Sequence, residues 1–218
     1  MQSHLEQCRH NMVEQQVRPW DVLDSKVLNT LDQIPRDQYV PRQYVNLAYA
    51  DTAIPLNDNA CMMHPVMEGR LLQSLDIQPD EKILEVGTGS GYLTACLAHL
   101  GGHVDSIEID EALANQATQT LQQQGISNAS VSSGSGLDIS ATNRYDVIAL
   151  TGSTTEVPEN LKLALRKNGR MFVISGHSPV MIARLVTRTG DNDWSIIDLF
   201  DTDLPALAHG ETAEEFKF

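Results

Sequence analysis

Leu84-Glu85-Val86-Gly87-Thr88-Gly89-Ser90-Gly91-Tyr92 sets three glycines at alternate positions directly after a short apolar run. A strand entering a glycine-rich turn that opens a helix lets a ligand approach bare backbone, whose N–H groups are then free to bind its polar atoms. Glu108 follows Gly87 by about twenty residues, at the end of the next strand pattern, where a carboxylate can accept hydrogen bonds from both hydroxyls of a ribose. Together these residues predict a nucleoside-binding corner, with Glu85, Gly87, Thr88, Gly89, Gly91 and Glu108 on the cofactor side. An acid on the second strand also suits NAD, so the cofactor needs a separate argument. Dinucleotide sites generally use G-x-G-x-x-G to seat a pyrophosphate on the helix N-terminus, and here the third glycine comes one residue early. S-adenosylmethionine carries no phosphate and does not need that cradle, so it is the expected cofactor and a hydride-transferring dehydrogenase is the weaker alternative.

Other chemical groups are fewer. Thr151 closes a strand pattern, where α/β sheets place ligands. His64, beside Pro65, reads either as a hydrogen-bond donor to substrate or as an ordinary loop histidine. Met62, Met63 and Met67 read either as an adaptable apolar floor to a cleft or as plain core. Cys61 has no evident partnered base, which argues against a nucleophile. Asp146, opening a strand pattern, reads either as a structural hydrogen-bonding residue or as a cofactor-side group. Gly176-His177-Ser178 lacks the flanking glycine pattern of a nucleophile elbow, and no H-E-x-x-H or paired-cysteine motif occurs, so no metal site is expected.

These groups need elements to hold them, and the hydrophobic period predicts two regimes. Residues 1–79 read as helices and turns forming an N-terminal cap with a substrate loop. Ser25 is placed to cap a helix bearing Val27, Leu28, Leu31 and Ile34. The stretch 49–65 reads as an extended loop, and a helix follows over 66–75. Residues 80–218 read as the cofactor-binding core, with strands alternating with helices, which predicts βαβ units and a parallel sheet. Strands are expected at 82–86, 104–109, 129–132, 145–150 and 170–174. The runs 180–187 and 195–200 follow without an intervening helix, which predicts an antiparallel hairpin at one edge.

Bulk properties restrict the partners. The chain has 218 residues, 29 acidic against 15 basic, for a formal charge of −14, so nucleic acid and anionic membranes are not expected partners. Cys8, Cys61 and Cys96 are scattered without metal-ligand spacing, as free thiols in a reducing compartment would be. No basic leader and no bilayer-spanning apolar run is present, and the expected location is the cytoplasm.

Several stretches resemble the protein-L-isoaspartate O-methyltransferases over most of the chain. They are Met12-Val13-Glu14-Gln15-Gln16-Val17-Arg18-Pro19, Ile34-Pro35-Arg36 leading to Tyr39-Val40-Pro41, Leu47-Ala48-Tyr49-Ala50-Asp51, the glycine turn with Glu108, Thr151 with Glu156-Val157-Pro158, and Asn168-Gly169-Arg170. The resemblance implies a doubly wound, seven-stranded methyltransferase sheet, S-adenosylmethionine as methyl donor, and isoaspartyl-containing damaged proteins as substrates for repair. It implies a substrate cleft shaped by the 52–65 loop, with Thr52, Ile54, Cys61 and Thr151 on its walls, and Ser135 and Gly136 near the adenine. Two departures stand out. The family's Thr-Ile-Ser-Gln-Pro falls on Cys61-Met62-Met63-His64-Pro65, so Met63 takes the active-site serine position with His64 beside it, and these two are the candidate catalytic residues. The family's Gly-Asp-Gly reads Gly134-Ser135-Gly136. A thioether cannot donate a hydrogen bond as a hydroxyl does. A methyltransferase with a different acceptor, or a cofactor-binding protein without catalysis, is the alternative these departures leave open.

Overall fold

In the computed structural model, which describes residues 2–210, the strand periodicity resolves into two buried faces. On one face lie Ile83, Val147, Ala149, Phe172 and Ile174. Their sequence neighbours Leu84, Ile148, Leu150, Met171 and Val173 lie on the other. Strands covered on both sides read as continuous apolar runs because alternate side chains point to opposite faces, each with a helical layer to meet.

The N-terminal part contains α1 (Gln2–Asn11) and α2 (Ser25–Gln33), a two-residue β-ribbon of β1 (Ile54–Pro55) and β2 (Cys61–Met62), and α3 (Pro65–Leu75). The main sheet then runs β3 (Lys82–Val86), α4 (Tyr92–Leu100), β4 (His103–Glu108), α5 (Glu111–Gln123), β5 (Ala129–Ser133), β6 (Tyr145–Thr154), α6 (Glu159–Ala164), β7 (Leu165–His177), β8 (Val180–Arg188) and β9 (Trp194–Thr202). Its order is β5-β4-β3-β6-β7-β8-β9. The pairs from β5 to β7 are parallel, and β8 and β9 close the edge as an antiparallel meander. The expected doubly wound, seven-stranded sheet with an antiparallel edge hairpin is therefore what the chain forms. Chain order reverses beside β3, which opens a crevice at the carboxyl ends of β3, β4 and β6, the usual ligand position in such sheets.

Several boundaries differ from the sequence reading. The N-cap of α2 is Asp24, whose side chain accepts from the Lys26 N–H, and Ser25 is the first helical residue. A carboxylate one position earlier caps the helix instead, accepting from the N–H two residues on. The expected loop at 49–65 contains the β1–β2 ribbon, pairing Ile54 with Met62. Strands β6 and β7 extend past their apolar runs because Ser153 and Thr154 pair with Ile174 and Ser175 beyond a register shift. Asp146 is structural: its Oδ2 accepts from the Lys82 N–H at 2.8 Å and from Arg166 Nη1 at 2.8 Å, tying β3, β6 and β7 at their amino ends.

The N-terminal helices and the sheet share one apolar interior. Val27, Leu31, Leu71 and Leu75 pack in the same cluster as Ile83, Leu97 and Phe172. The orientation of α3 is set by charge as well. Arg36, fully buried, donates through Nε to Glu68 Oε2 at 3.2 Å, through Nη1 to the Ala48 carbonyl at 2.9 Å and through Nη2 to the Met63 carbonyl at 2.6 Å. A guanidinium with its donors occupied can remain in a dry interior where an unpaired charge could not.

Candidate cofactor and acceptor site

A cavity of about 450 Å³ opens at the carboxyl ends of β3, β4 and β6. One wall is the glycine turn. Gly87 has φ +95°, and a Cβ there would lie 2.2 Å from Thr151 Oγ1. Thr151 Oγ1 donates to the Gly87 carbonyl at 2.7 Å, fastening the turn to the end of β6. Gly91 (φ +85°) starts α4 in the left-handed region that a side chain rarely adopts.

Glu108 is held at the end of β4 by two backbone donors: the Gly89 N–H reaches Oε2 at 2.8 Å and the Asp110 N–H reaches Oε1 at 3.1 Å. Each carboxylate oxygen keeps acceptor capacity for a ligand hydroxyl. Beyond Glu108, the Gly134 N–H donates to the Glu108 carbonyl at 2.8 Å and brings Ser135 and Gly136 to the cavity wall. Gly136 must be bare, because a Cβ would lie 2.6 Å from Val86 Cγ1. Ser135 Oγ is buried with no hydrogen-bond partner among the described residues, and the residue lines this end of the cavity.

At the other end the wall is Cys61, Met62, Met63, Glu68 and Tyr92. Burial pushes the Glu68 carboxyl up to about 7 against the pull of Arg36. Burial also raises the Cys61 thiol, which keeps it protonated and unsuited to nucleophilic attack.

The structure thus brings Gly87, Thr88, Gly89, Glu108, Ser135, Gly136, Thr151, Cys61 and Met63 around one cavity. Five other candidates lie off its wall. Gly91 turns toward α5, where a Cβ would meet Ala117 and Leu121 at 3.4 Å, so it shapes the turn without lining the cavity. Glu85 sits beneath the turn, because alternation along β3 points it away from the faces of Leu84 and Val86. Its Oε2 accepts from Ser106 Oγ at 2.6 Å and from Thr94 Oγ1, and Ser106 Oγ contacts Thr88 Oγ1 at 2.6 Å, so Glu85 reaches the turn only through Ser106. Burial pushes its carboxyl up to about 8. His64 precedes α3, half exposed, with Nδ1 3.6 Å from Asp51 Oδ1. Ile54 is wholly buried in the core. Thr52 Oγ1 turns back to the Ala53 carbonyl at 3.5 Å.

Two contributors went unread in the sequence. The segment 204–208 lies along the end of β6: the Ser153 N–H donates to the Pro205 carbonyl at 3.0 Å and the Leu207 N–H returns to the Ser153 carbonyl at 2.9 Å. This strap adds Leu204 through Ala208 to the wall, and the rest of the tail, 211–218, lies outside the described residues. Glu68 was also missed, although it falls on the buried stripe of α3 with Leu71, Leu72 and Leu75, a helical period that marks an inward carboxylate.

A glycine turn at the switch point of a doubly wound sheet, with a carboxylate ending the second strand beside the same cavity, is the arrangement of an S-adenosylmethionine-dependent methyltransferase, and the proteins similar to this chain agree. The family profile described as protein-L-isoaspartate(D-aspartate) O-methyltransferase matches residues 7–202. A protein-L-isoaspartate O-methyltransferase of Aliivibrio fischeri is 30% identical over 206 residues, covering 94% of this chain and 98% of that protein. One from Gloeobacter violaceus is 35% identical over 166 residues, covering 76% and 81%. A Plasmodium falciparum structure, described as a protein-L-isoaspartate O-methyltransferase in complex with S-adenosyl-L-homocysteine, superposes with a TM-score of 0.78 at 21% identity, covering 92% of this chain and 98% of that one. The chain belongs to the protein-L-isoaspartate (D-aspartate) O-methyltransferase family.

Proposed function

We propose that this chain methylates the free carboxylate of isoaspartyl residues in damaged proteins, in the cytoplasm, with residues 1–79 capping the site and 80–218 holding the cofactor. The observation that carries the reading is the pairing of Glu108, anchored by the Gly89 and Asp110 N–H groups, with a second end of the same cavity walled by Cys61, Met62 and Met63. Glu108 holds the ribose, Ser135 and Gly136 meet the adenine, and Gly87 through Gly91 admit the remainder along bare backbone. The unpartnered Ser135 Oγ and the spare acceptor capacity of Glu108 fit a nucleoside. The bound cofactor supplies an activated methyl group on a sulfonium. A carboxylate is already ionised at neutral pH, so the protein needs no general base and contributes chiefly alignment. His64, half exposed beside Asp51, fits a role at the cleft mouth, and Met63 fits an apolar wall behind the acceptor. No helix among the described residues is long and apolar enough to cross a membrane.

The test is calorimetric titration with S-adenosylhomocysteine followed by methyl transfer to an isoaspartyl peptide in the same preparation. Tight binding with turnover, lost in Glu108→Ala, supports the reading. Binding without turnover on any isoaspartyl peptide sinks it and favours a different acceptor, the alternative motivated by Met63.

A further inference from the structure

We infer that Glu68 receives the acceptor carboxylate by sharing one proton with it, while Arg36 behind Glu68 balances the charge of the pair. The inference rests on the reading that the acceptor is a carboxylate. At the acceptor end of the cavity Met63 offers no donor, and no Lys, Arg or His lines the cavity among the described residues. Of the carboxylates lining the cavity, Glu68 is the one tied to Met63, because Arg36 Nη2 bonds both the Met63 carbonyl at 2.6 Å and Glu68 Oε1 at 3.4 Å.

Two carboxylates brought into contact in a dry site cannot both remain ionised, so an arriving acceptor must be accompanied by a proton taken from solvent. With that proton held between Glu68 and one acceptor oxygen, the two carboxyls carry a single negative charge, which Arg36 offsets. The second acceptor oxygen stays free for the methyl group, and no covalent bond to the protein forms or breaks. The groups around Glu68 favour this arrangement. Arg36 alone pulls toward ionisation, whereas Asp51 on the preceding loop opposes it. Tyr92 and Cys96 on α4 and Glu85 on β3 also face Glu68, and burial holds all three in their neutral forms toward higher pH. A carboxyl already close to protonation near neutral pH accepts the shared proton at little cost.

The experiment is calorimetric binding of an isoaspartyl peptide to the S-adenosylhomocysteine-loaded protein, in buffers of different ionisation enthalpy, at pH 6 and pH 8. Wild type is expected to take up about one proton per peptide at pH 8 and far less at pH 6, with peptide affinity falling up to about tenfold per pH unit above the Glu68 midpoint. Glu68→Gln, whose amide is a permanent donor, is expected to bind peptide with no proton uptake at either pH and with unchanged S-adenosylhomocysteine affinity. Peptide binding by wild type without proton uptake at pH 8, or equal uptake by Glu68→Gln, overturns the inference alone. The wild-type proton count decides the matter even if the variant fails to fold. Failure of the loaded protein to bind any isoaspartyl peptide overturns the carboxylate reading and this inference with it.

Discussion

Asn57 Nδ2 donates to Asp110 Oδ2 at 3.0 Å, joining the tip of the β1–β2 ribbon to the N-cap of α5 at the rim of the cavity. Both residues line the same cavity, while Asp110 Oδ1 is engaged with the Ala112 and Leu113 N–H groups. The bond therefore closes one side of the site without belonging to the core of either element.

Asn57→Ala should loosen this closure and leave the fold intact. A hydrogen bond to a charged group at an exposed position contributes about 1 kcal/mol, so S-adenosylhomocysteine should bind up to about fivefold more weakly, mostly through faster dissociation. Stopped-flow release measured beside a thermal melt checks this. An unchanged dissociation rate would mean that the ribbon does not retain the ligand.

The attachment of the glycine turn to β6 is a sterner case. Thr151→Val keeps the shape of the side chain and removes the donor to the Gly87 carbonyl, leaving that carbonyl a partner short. The expected cost is about 1–3 kcal/mol, appearing as about tenfold or greater loss of S-adenosylhomocysteine affinity because the turn is part of the wall. Gly87→Ala should do worse, since its Cβ would meet Thr151 Oγ1 at 2.2 Å from a φ of +95°. Titration of both variants, with a melt to detect unfolding, orders them. A Gly87→Ala protein that binds normally would show that the turn can rearrange.

What the sequence made legible follows from locality. The glycine turn, Glu108 and the strand at 82–86 are each set by residues close in the chain, and all were readable from spacing. The strap at 204–208 was not, because its place depends on Ser153, about fifty residues away, and its own residues carry no period. Glu85 misled for a related reason: proximity to the turn suggested ligand contact, while the alternation of the strand turned it beneath the sheet. Arg36 and Glu68 required a contact across two helices to be recognised as a pair, although the buried stripe of α3 held the signal for Glu68.

Glu85 gives a pH dependence whose sign can be worked out. Its folded carboxyl is raised from 4.5 to about 8 by burial, so between those values the folded chain binds more protons than the unfolded one. Stability from this group is thus greatest below the unfolded value and falls as pH rises toward about 8. Glu85→Gln keeps an acceptor for Ser106 and Thr94 and does not titrate. The difference in melting temperature between the variant and wild type should therefore shift in favour of the variant from pH 5 to pH 9. Parallel melting curves across that range would mean that Glu85 is ionised in the folded protein.

Met63 offers the most direct control over the acceptor. It is 5% exposed and lines the cavity, and only its backbone carbonyl is used by Arg36, so replacing the side chain leaves the Arg36 bond in place. Met63→Ser restores a hydroxyl where the family pattern has one. Removing a buried thioether chain costs about 2–4 kcal/mol of stability, partly offset where water enters the space. The new donor can hold the acceptor carboxylate without a shared proton, so kcat/KM for an isoaspartyl peptide should rise at pH 8 more than at pH 6, where Glu68 already serves. Initial rates followed as S-adenosylhomocysteine release avoid interference from the base-labile ester. An equal gain at both pH values would separate the hydroxyl from Glu68, and no gain at either would mean that the wall formed by Cys61, Met62 and Met63 has been reshaped for another acceptor.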